Sequence, residues 1–140
     1  MSVRLLEPPA GVSVIETSGG RVWSTDGIVY EAIDVSRIEL EHAQEFASAV
    51  RHLAGDDGPS LLLADMSLVR ATTSEVRAYS ASDETKTLVA AQGILVGSPV
   101  TRVVASFFVR VFQPPFPVRL FTTADDASAW LHGLHTPASA

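Results

Sequence analysis

Six polar side chains fall where the sequence predicts the ends of parallel strands and the first turns of helices. They are Asp65, Thr72, Ser74, Arg77, Ser98 and Arg102. Ligands of mainly parallel sheets bind at the carboxyl ends of the strands, and free backbone N–H groups at helix starts attract anions. We therefore predict a binding site for a small anion, to which the two arginines would add positive charge. The alternative is that Asp65 forms a structural ion pair with one of these arginines.

No common catalytic or metal-binding motif accompanies these residues. The chain has no cysteine, and it contains no nucleophile elbow, zinc-protease helix or nucleotide phosphate loop. His132 and His135 have the spacing of metal ligands on a helix, but no third ligand is evident. The sequence thus predicts no catalytic residue, no metal and no cofactor, and a protein that is not an enzyme.

The charge of the chain is unevenly distributed. Its 140 residues carry a formal net charge of −6, which argues against binding to a nucleic-acid backbone. Residues 66–120 hold five arginines, Lys86 and only three acidic residues, so this segment offers the most favourable potential to an anion. No apolar stretch approaches the roughly 18 residues of a membrane span, and the first residues lack a signal-peptide pattern. We expect a cytoplasmic protein that does not span a membrane.

The remaining signals describe one domain. We interpret residues 1–11 as a flexible lead-in, residues 12–134 as the domain and residues 135–140 as a flexible tail. Strands are predicted at 12–17, 21–25 and 28–33, with Asp26-Gly27 as the hairpin turn. The apolar runs 61–64 and 90–96 are typical of strands that are covered on both faces.

Helices are predicted between these strands. Apolar residues at helical spacing cover 43–54, and Gly55 is placed to end that helix. Thr72 and Glu75 fit a capping box at the start of the next helix. Another helix start is expected at Ser82, and Thr122 or Thr123 caps the last helix.

The segment 99–113 is predicted to be a helix rather than a strand. Its polar residues Arg102, Ser106, Arg110 and Gln113 form one stripe at helical spacing, whereas a strand would scatter them over both faces. The rest of its surface is apolar and too wide for one ordinary core contact. The candidate interface residues on it are Val100, Val104, Phe107, Phe108, Val111 and Phe112. This surface could form a dimer interface, line a groove for an acyl or isoprenoid ligand, or be buried as ordinary core.

Together these elements predict an α/β fold with a mixed β-sheet. An N-terminal antiparallel hairpin comes first, followed by parallel βα units with about four helices.

Five sequence segments carry a family resemblance from about Val14 to Leu134. They are DGIVYEA, LLLADMS, TTSEVRAYSASDE, GSPVTRVVASFF and PPFPVRLFTTADDASAWL. The chain resembles the STAS-like superfamily, the fold of bacterial anti-sigma-factor antagonists. It resembles more closely the uncharacterised bacterial SpoIIAA-like, or STAS/SEC14-like, proteins.

The resemblance implies a regulatory role in which one serine is phosphorylated. In the antagonists an Asp-Leu-Ser element ends a central strand, which Asp65-Met66-Ser67 resembles here. An Asp-Ser-Ser-Gly turn then carries the phosphorylated serine at the next helix start. Ser74 is the residue that could correspond to it, although the Asp and Gly of that turn are missing.

Three functional hypotheses follow. The first is a non-enzymatic STAS-like regulatory or protein-interaction module, which would form a homodimer. The second, suggested by the SEC14-like part of the resemblance, is a small carrier that binds a lipid or an anion. The third is an enzyme that uses Asp65 or Arg77, although no catalytic motif supports this hypothesis. A deep apolar cavity beside helix 99–113 would favour the carrier, and a closed interface on that helix would favour the dimer.

Overall fold

A computed structural model of the chain describes residues 5–112 and 114–135, without the side chains of Val111, Phe112 and His135. Eight strands and five helices lie in this part of the chain. Their order is β1 (Ile15–Thr17), β2 (Gly20–Thr25), β3 (Ile28–Ile33), β4 (Arg37–Ile38), α1 (Leu40–Ala54), β5 (Ser60–Asp65), β6 (Ala71–Thr72), α2 (Ser74–Ser80), α3 (Asp83–Leu88), β7 (Val89–Leu95), α4 (Pro99–Phe112), β8 (Val118–Phe121) and α5 (Ala124–His135).

Six of the strands form one mixed sheet in the order β1-β2-β3-β5-β7-β8. The first three strands are antiparallel, and β5, β7 and β8 continue the sheet in parallel. The predicted mixed α/β sheet is therefore confirmed. Strands β4 and β6 pair separately, and neither was predicted, because two-residue strands are too short to produce a hydrophobic period.

The turn between β2 and β3 is the predicted Asp-Gly hairpin. Asp26 has a φ of 55° and Gly27 a φ of 79°. A two-residue type I′ turn needs positive φ at both central positions, and its twist matches that of the strands. The turn sets the register Thr25 to Ile28, and this register decides which residues of β3 face the helices.

The helices agree with their predicted positions apart from one cap. Thr73, not Thr72, caps α2, since its hydroxyl accepts a hydrogen bond from the Val76 N–H at 3.1 Å. The prediction was wrong by one residue because two adjacent threonines fit the same pattern. The described residues form five helices where about four were expected, and the break between α2 and α3 at Ala81 and Ser82 agrees with the helix start expected at Ser82. Helix α4 lies where the stripe of polar residues predicted a helix rather than a strand, so this prediction is confirmed.

The two faces of the sheet have different covers. Helices α1 to α4 cover one face, and α5 with the segment around Leu6 and Val12 covers the other. Side chains alternate along β3, so Val29 and Ile33 join the first core and Ile28 and Ala32 the second. Glu31 falls between Val29 and Ile33 and therefore points toward α1 to α4. None of the helices in the described ranges is long and apolar enough to cross a membrane.

Candidate ligand-binding cavity

Asp65 holds the beginning of the described chain against the sheet. Its carboxylate accepts hydrogen bonds from the backbone N–H groups of Leu5 at 2.6 Å, Leu6 at 2.9 Å and Ser67 at 2.9 Å. The side chain is 1% exposed, and no arginine pairs with it within residues 5–112 and 114–135. Backbone donors, which sequence patterns do not reveal, thus bind this carboxylate in place of the arginine of the expected ion pair.

Thr72 and Arg77 do come together. The Arg77 guanidinium donates to the Thr72 carbonyl at 3.2 Å and lies 3.4 Å from the Thr72 hydroxyl. It also lies over the ring of Phe107, 5.8 Å from the ring centre. Ser74 is the exposed first residue of α2. This part of the predicted anion site therefore links α2 to α4.

Ser98 and Thr101 occupy the start of α4. The Ser98 hydroxyl accepts from the Thr101 N–H at 3.2 Å, and the Thr101 hydroxyl accepts from the N–H groups of Gly97 and Ser98, both at 3.1 Å. These donors are therefore already used by the protein. Arg102 is exposed, and no hydrogen bond in the described part of the chain joins it to Thr72 or Asp65. An anion site made of all six residues stays a prediction.

The predicted apolar surface of α4 divides into two parts. Val100 and Phe107 are exposed, together with the neighbouring Val103, which is 68% exposed. Val104 is half-buried against the core, and Phe108 faces inward at the edge of a cavity. The side chains of the other two predicted members, Val111 and Phe112, lie outside the description.

A cavity of about 120 Å³ lies between the sheet and helices α1 to α4. Its walls are mostly apolar and come from strands β3, β5 and β7 and from all four helices. Representative side chains are Ile33, Phe46, Leu62, Val76, Leu88 and Phe108. The cavity exists partly because Ala43 and Ala47 of α1 and Ala64 of β5 present only methyl groups to it.

Among the described residues that line this cavity, Glu31 carries the one carboxyl group. It is 7% exposed, and its carboxyl has no hydrogen-bond or ion-pair partner in the described residues. Burial alone raises the pKa of Glu31 from 4.5 to about 7, because an apolar environment disfavours the charged form. An acid of this kind can bind a donor or a cation, and it can exchange a proton near neutral pH.

Glu31 was not among the site residues predicted from the sequence. The signal was present, because the strand IVYEAI places one charged residue at an inward position between Val29 and Ile33. Burying an unpaired charge in a core is costly, and residues that carry such a charge often lie at functional sites. What the strand alone could not reveal is that the helices leave a space in front of the carboxyl.

Comparisons with known proteins give a family without a described function. One similar solved structure is an uncharacterised protein of the DUF3478 family with a SpoIIAA-like fold from Shewanella loihica PV-4. Its sequence identity to this chain is 15% and its TM-score is 0.49, and the match covers 86% of this chain and 92% of that chain. Another is a protein of unknown function from Arthrobacter sp. FB24, with 29% identity, a TM-score of 0.32, and 84% and 95% covered. No curated protein matches the chain. A family model matches residues 22–135, and the chain thus belongs to the family described as Domain of unknown function (DUF7793).

Proposed function

We propose that the chain is a non-enzymatic, STAS-like regulatory module that binds a small apolar molecule in the cavity beneath α1 to α4. The observation that carries this proposal is the apolar cavity with the unpaired carboxyl of Glu31 in its wall. Protein interiors are normally close-packed, and a partly open space of this kind is where small ligands bind.

The size of the cavity limits the ligand. A cavity of roughly 150 Å³ with apolar walls can hold benzene, and this one measures about 120 Å³. A long acyl chain would not fit without moving the helices, so a small ring or a short branched chain is favoured over a lipid. The phosphate of a lipid would also find no basic side chain among the described residues that line the cavity.

The test is native mass spectrometry of protein purified from its natural host, followed by ligand release. A co-purified small molecule is expected in the wild type and should be lost in Ala47→Leu, which fills the cavity from α1. Ala78→Leu makes the same change on an exposed position of α2 and should retain the molecule. A ligand that stays bound to Ala47→Leu would place binding elsewhere and contradict the proposal.

A protein-interaction role has its own supporting observation. Val100, Val103 and Phe107 are exposed on α4 at spacings of three and four, which is the spacing of helices that pair along an apolar seam. This favours a homodimer in which α4 packs against its copy.

Sedimentation velocity tests the dimer. Val103→Asp places a charge in the centre of the exposed surface and should convert a dimer into a monomer. Ala129→Asp adds the same charge at an exposed position of α5 and should leave the dimer intact. A wild-type protein that sediments as a monomer at high concentration would remove this second candidate.

A further inference from the structure

We propose that the cavity selects small apolar amines, with the ammonium group of the ligand paired to the Glu31 carboxylate. This inference rests on the proposed function, since it requires that a small molecule enters the cavity. It goes further because it assigns the chemical class of the ligand and the residue that recognises it.

The charges around the cavity exclude the opposite class. No lysine, arginine or histidine occurs among the described residues that line it. Besides Glu31, Tyr79 of α2 is the titratable residue of the lining, and its hydroxyl donates to Glu84 at 2.8 Å. A carboxylate or phosphate ligand would therefore meet no counter-charge and would be repelled by Glu31 itself. This argues against an anion in the cavity, although an anion was one of the ligands expected from the sequence.

Two hydroxyl groups in the lining are already hydrogen-bonded within the protein. The hydroxyl of Ser80 donates to the Val76 carbonyl at 2.9 Å, and that of Thr85 donates to the Tyr79 carbonyl at 2.8 Å. Both hydroxyl protons are therefore used in hydrogen bonds to backbone carbonyl groups of the protein. The Glu31 carboxyl, by contrast, has no donor among the described residues and offers two acceptor oxygens once it is ionised.

An amine matches this acceptor better than an alcohol does. Near neutral pH the carboxylate of Glu31 carries a desolvation cost that a neutral hydroxyl offsets only in part. An ammonium group supplies both a charge and up to three N–H donors, and a charge-assisted hydrogen bond is about twice as strong as a neutral one. The apolar walls then accommodate the rest of a small ligand.

Three compounds of similar shape test the inference: benzylamine, toluene and benzoate. Amide NMR titrations of the whole chain at about pH 8, where Glu31 is mostly ionised, report both affinity and location. Benzylamine should bind at least about tenfold more tightly than toluene, with shifts at cavity residues such as Leu62 and Val76. Benzoate should produce no such shifts.

The variant Glu31→Gln keeps the shape of the side chain and removes its charge. It should reduce the affinity for benzylamine to that for toluene and leave toluene binding unchanged. If this variant did not fold, the wild type at low pH would replace it. The affinity for benzylamine should then fall by about tenfold or more between about pH 8 and about pH 5.5, as Glu31 becomes protonated.

The outcomes separate the two proposals. If toluene binds as tightly as benzylamine, if Glu31→Gln has no effect, or if benzoate binds in the cavity, the amine inference is overturned while a ligand-binding cavity remains. If none of the three compounds shifts the cavity residues and no molecule co-purifies, the proposed function fails as well.

Discussion

Glu31 on β3 is paired in register with Ala64 on the parallel strand β5, so a carboxyl lies beside a single methyl group on the face covered by α1 to α4. A larger residue at position 64 would fill the space in front of the acid. The pairing is therefore one cause of the cavity, and it gives Glu31 no polar neighbour at the paired position on β5.

The acid should make the protein less stable as the pH rises. The folded-state pKa of Glu31 is raised from 4.5 to about 7, so between these values the folded chain binds a proton that the unfolded chain has lost. Stability falls across this window and levels off above it, with a total loss of about 3 kcal/mol. Urea unfolding at several pH values measures this change.

Glu31→Gln should remove most of this pH dependence. At alkaline pH the variant should be more stable than the wild type. Glu16→Gln, at an exposed position on β1, should preserve the wild-type profile. A wild-type protein whose stability is the same at both ends of the window would show that the carboxyl is solvated.

Replacing Asp65 with alanine should release the beginning of the chain. Three backbone N–H groups lose their acceptor, and we expect a loss of about 3 kcal/mol in the free energy of unfolding. Hydrogen exchange at Leu5 and Leu6 should become fast, as NMR can measure residue by residue. Asp57→Ala, at an exposed turn position, should change neither quantity, and retained protection at Leu6 in Asp65→Ala would count against the contact.

Gly20 should not tolerate a side chain. Its φ is 153°, and an added Cβ would lie 2.0 Å from the Ala32 carbonyl oxygen on β3. Gly20→Ala should therefore destabilise the protein by more than about 3 kcal/mol, as large clashes at a strained backbone position do. Gly133→Ala has nothing within 4 Å of the new methyl group and lies in α5, so it should stabilise the protein by about 0.5–1 kcal/mol. Thermal unfolding of the two variants should shift the midpoint in opposite directions.

The cap of α2 distinguishes two adjacent threonines. Thr73→Ala removes the acceptor for the Val76 N–H and should cost about 1 kcal/mol. Thr72→Ala removes only a 3.4 Å contact with Arg77 and should cost less. Equal losses in chemical denaturation would mean that the helix begins one residue earlier.

Much of the fold could be predicted from local patterns. The Asp26-Gly27 turn, the apolar runs of β5 and β7, and the polar stripe of α4 each specify an element, because their signals lie within a few residues of one another. The cavity could not be predicted in the same way. It depends on four helices that leave a space opposite one residue of β3, and such a space depends on packing between distant segments.

The candidate anion site stays a prediction, because residue types did not reveal the partners that the structure gives its members. Asp65, Ser98 and Arg102 have suitable chemistry and suitable positions near strand ends and helix starts. The structure gives the first two backbone N–H partners and leaves the third exposed. Residue type alone does not reveal which side chains the fold itself already uses.

The contact of Asp65 with Leu5 and Leu6 also bears on the order of folding. During synthesis the N-terminal residues leave the ribosome first, yet their acceptor lies 59 and 60 residues further along the chain. They can be fixed only after β5 has emerged and paired. Leu5 and Leu6 thus reach their final position only after residues 60–65 have been synthesised.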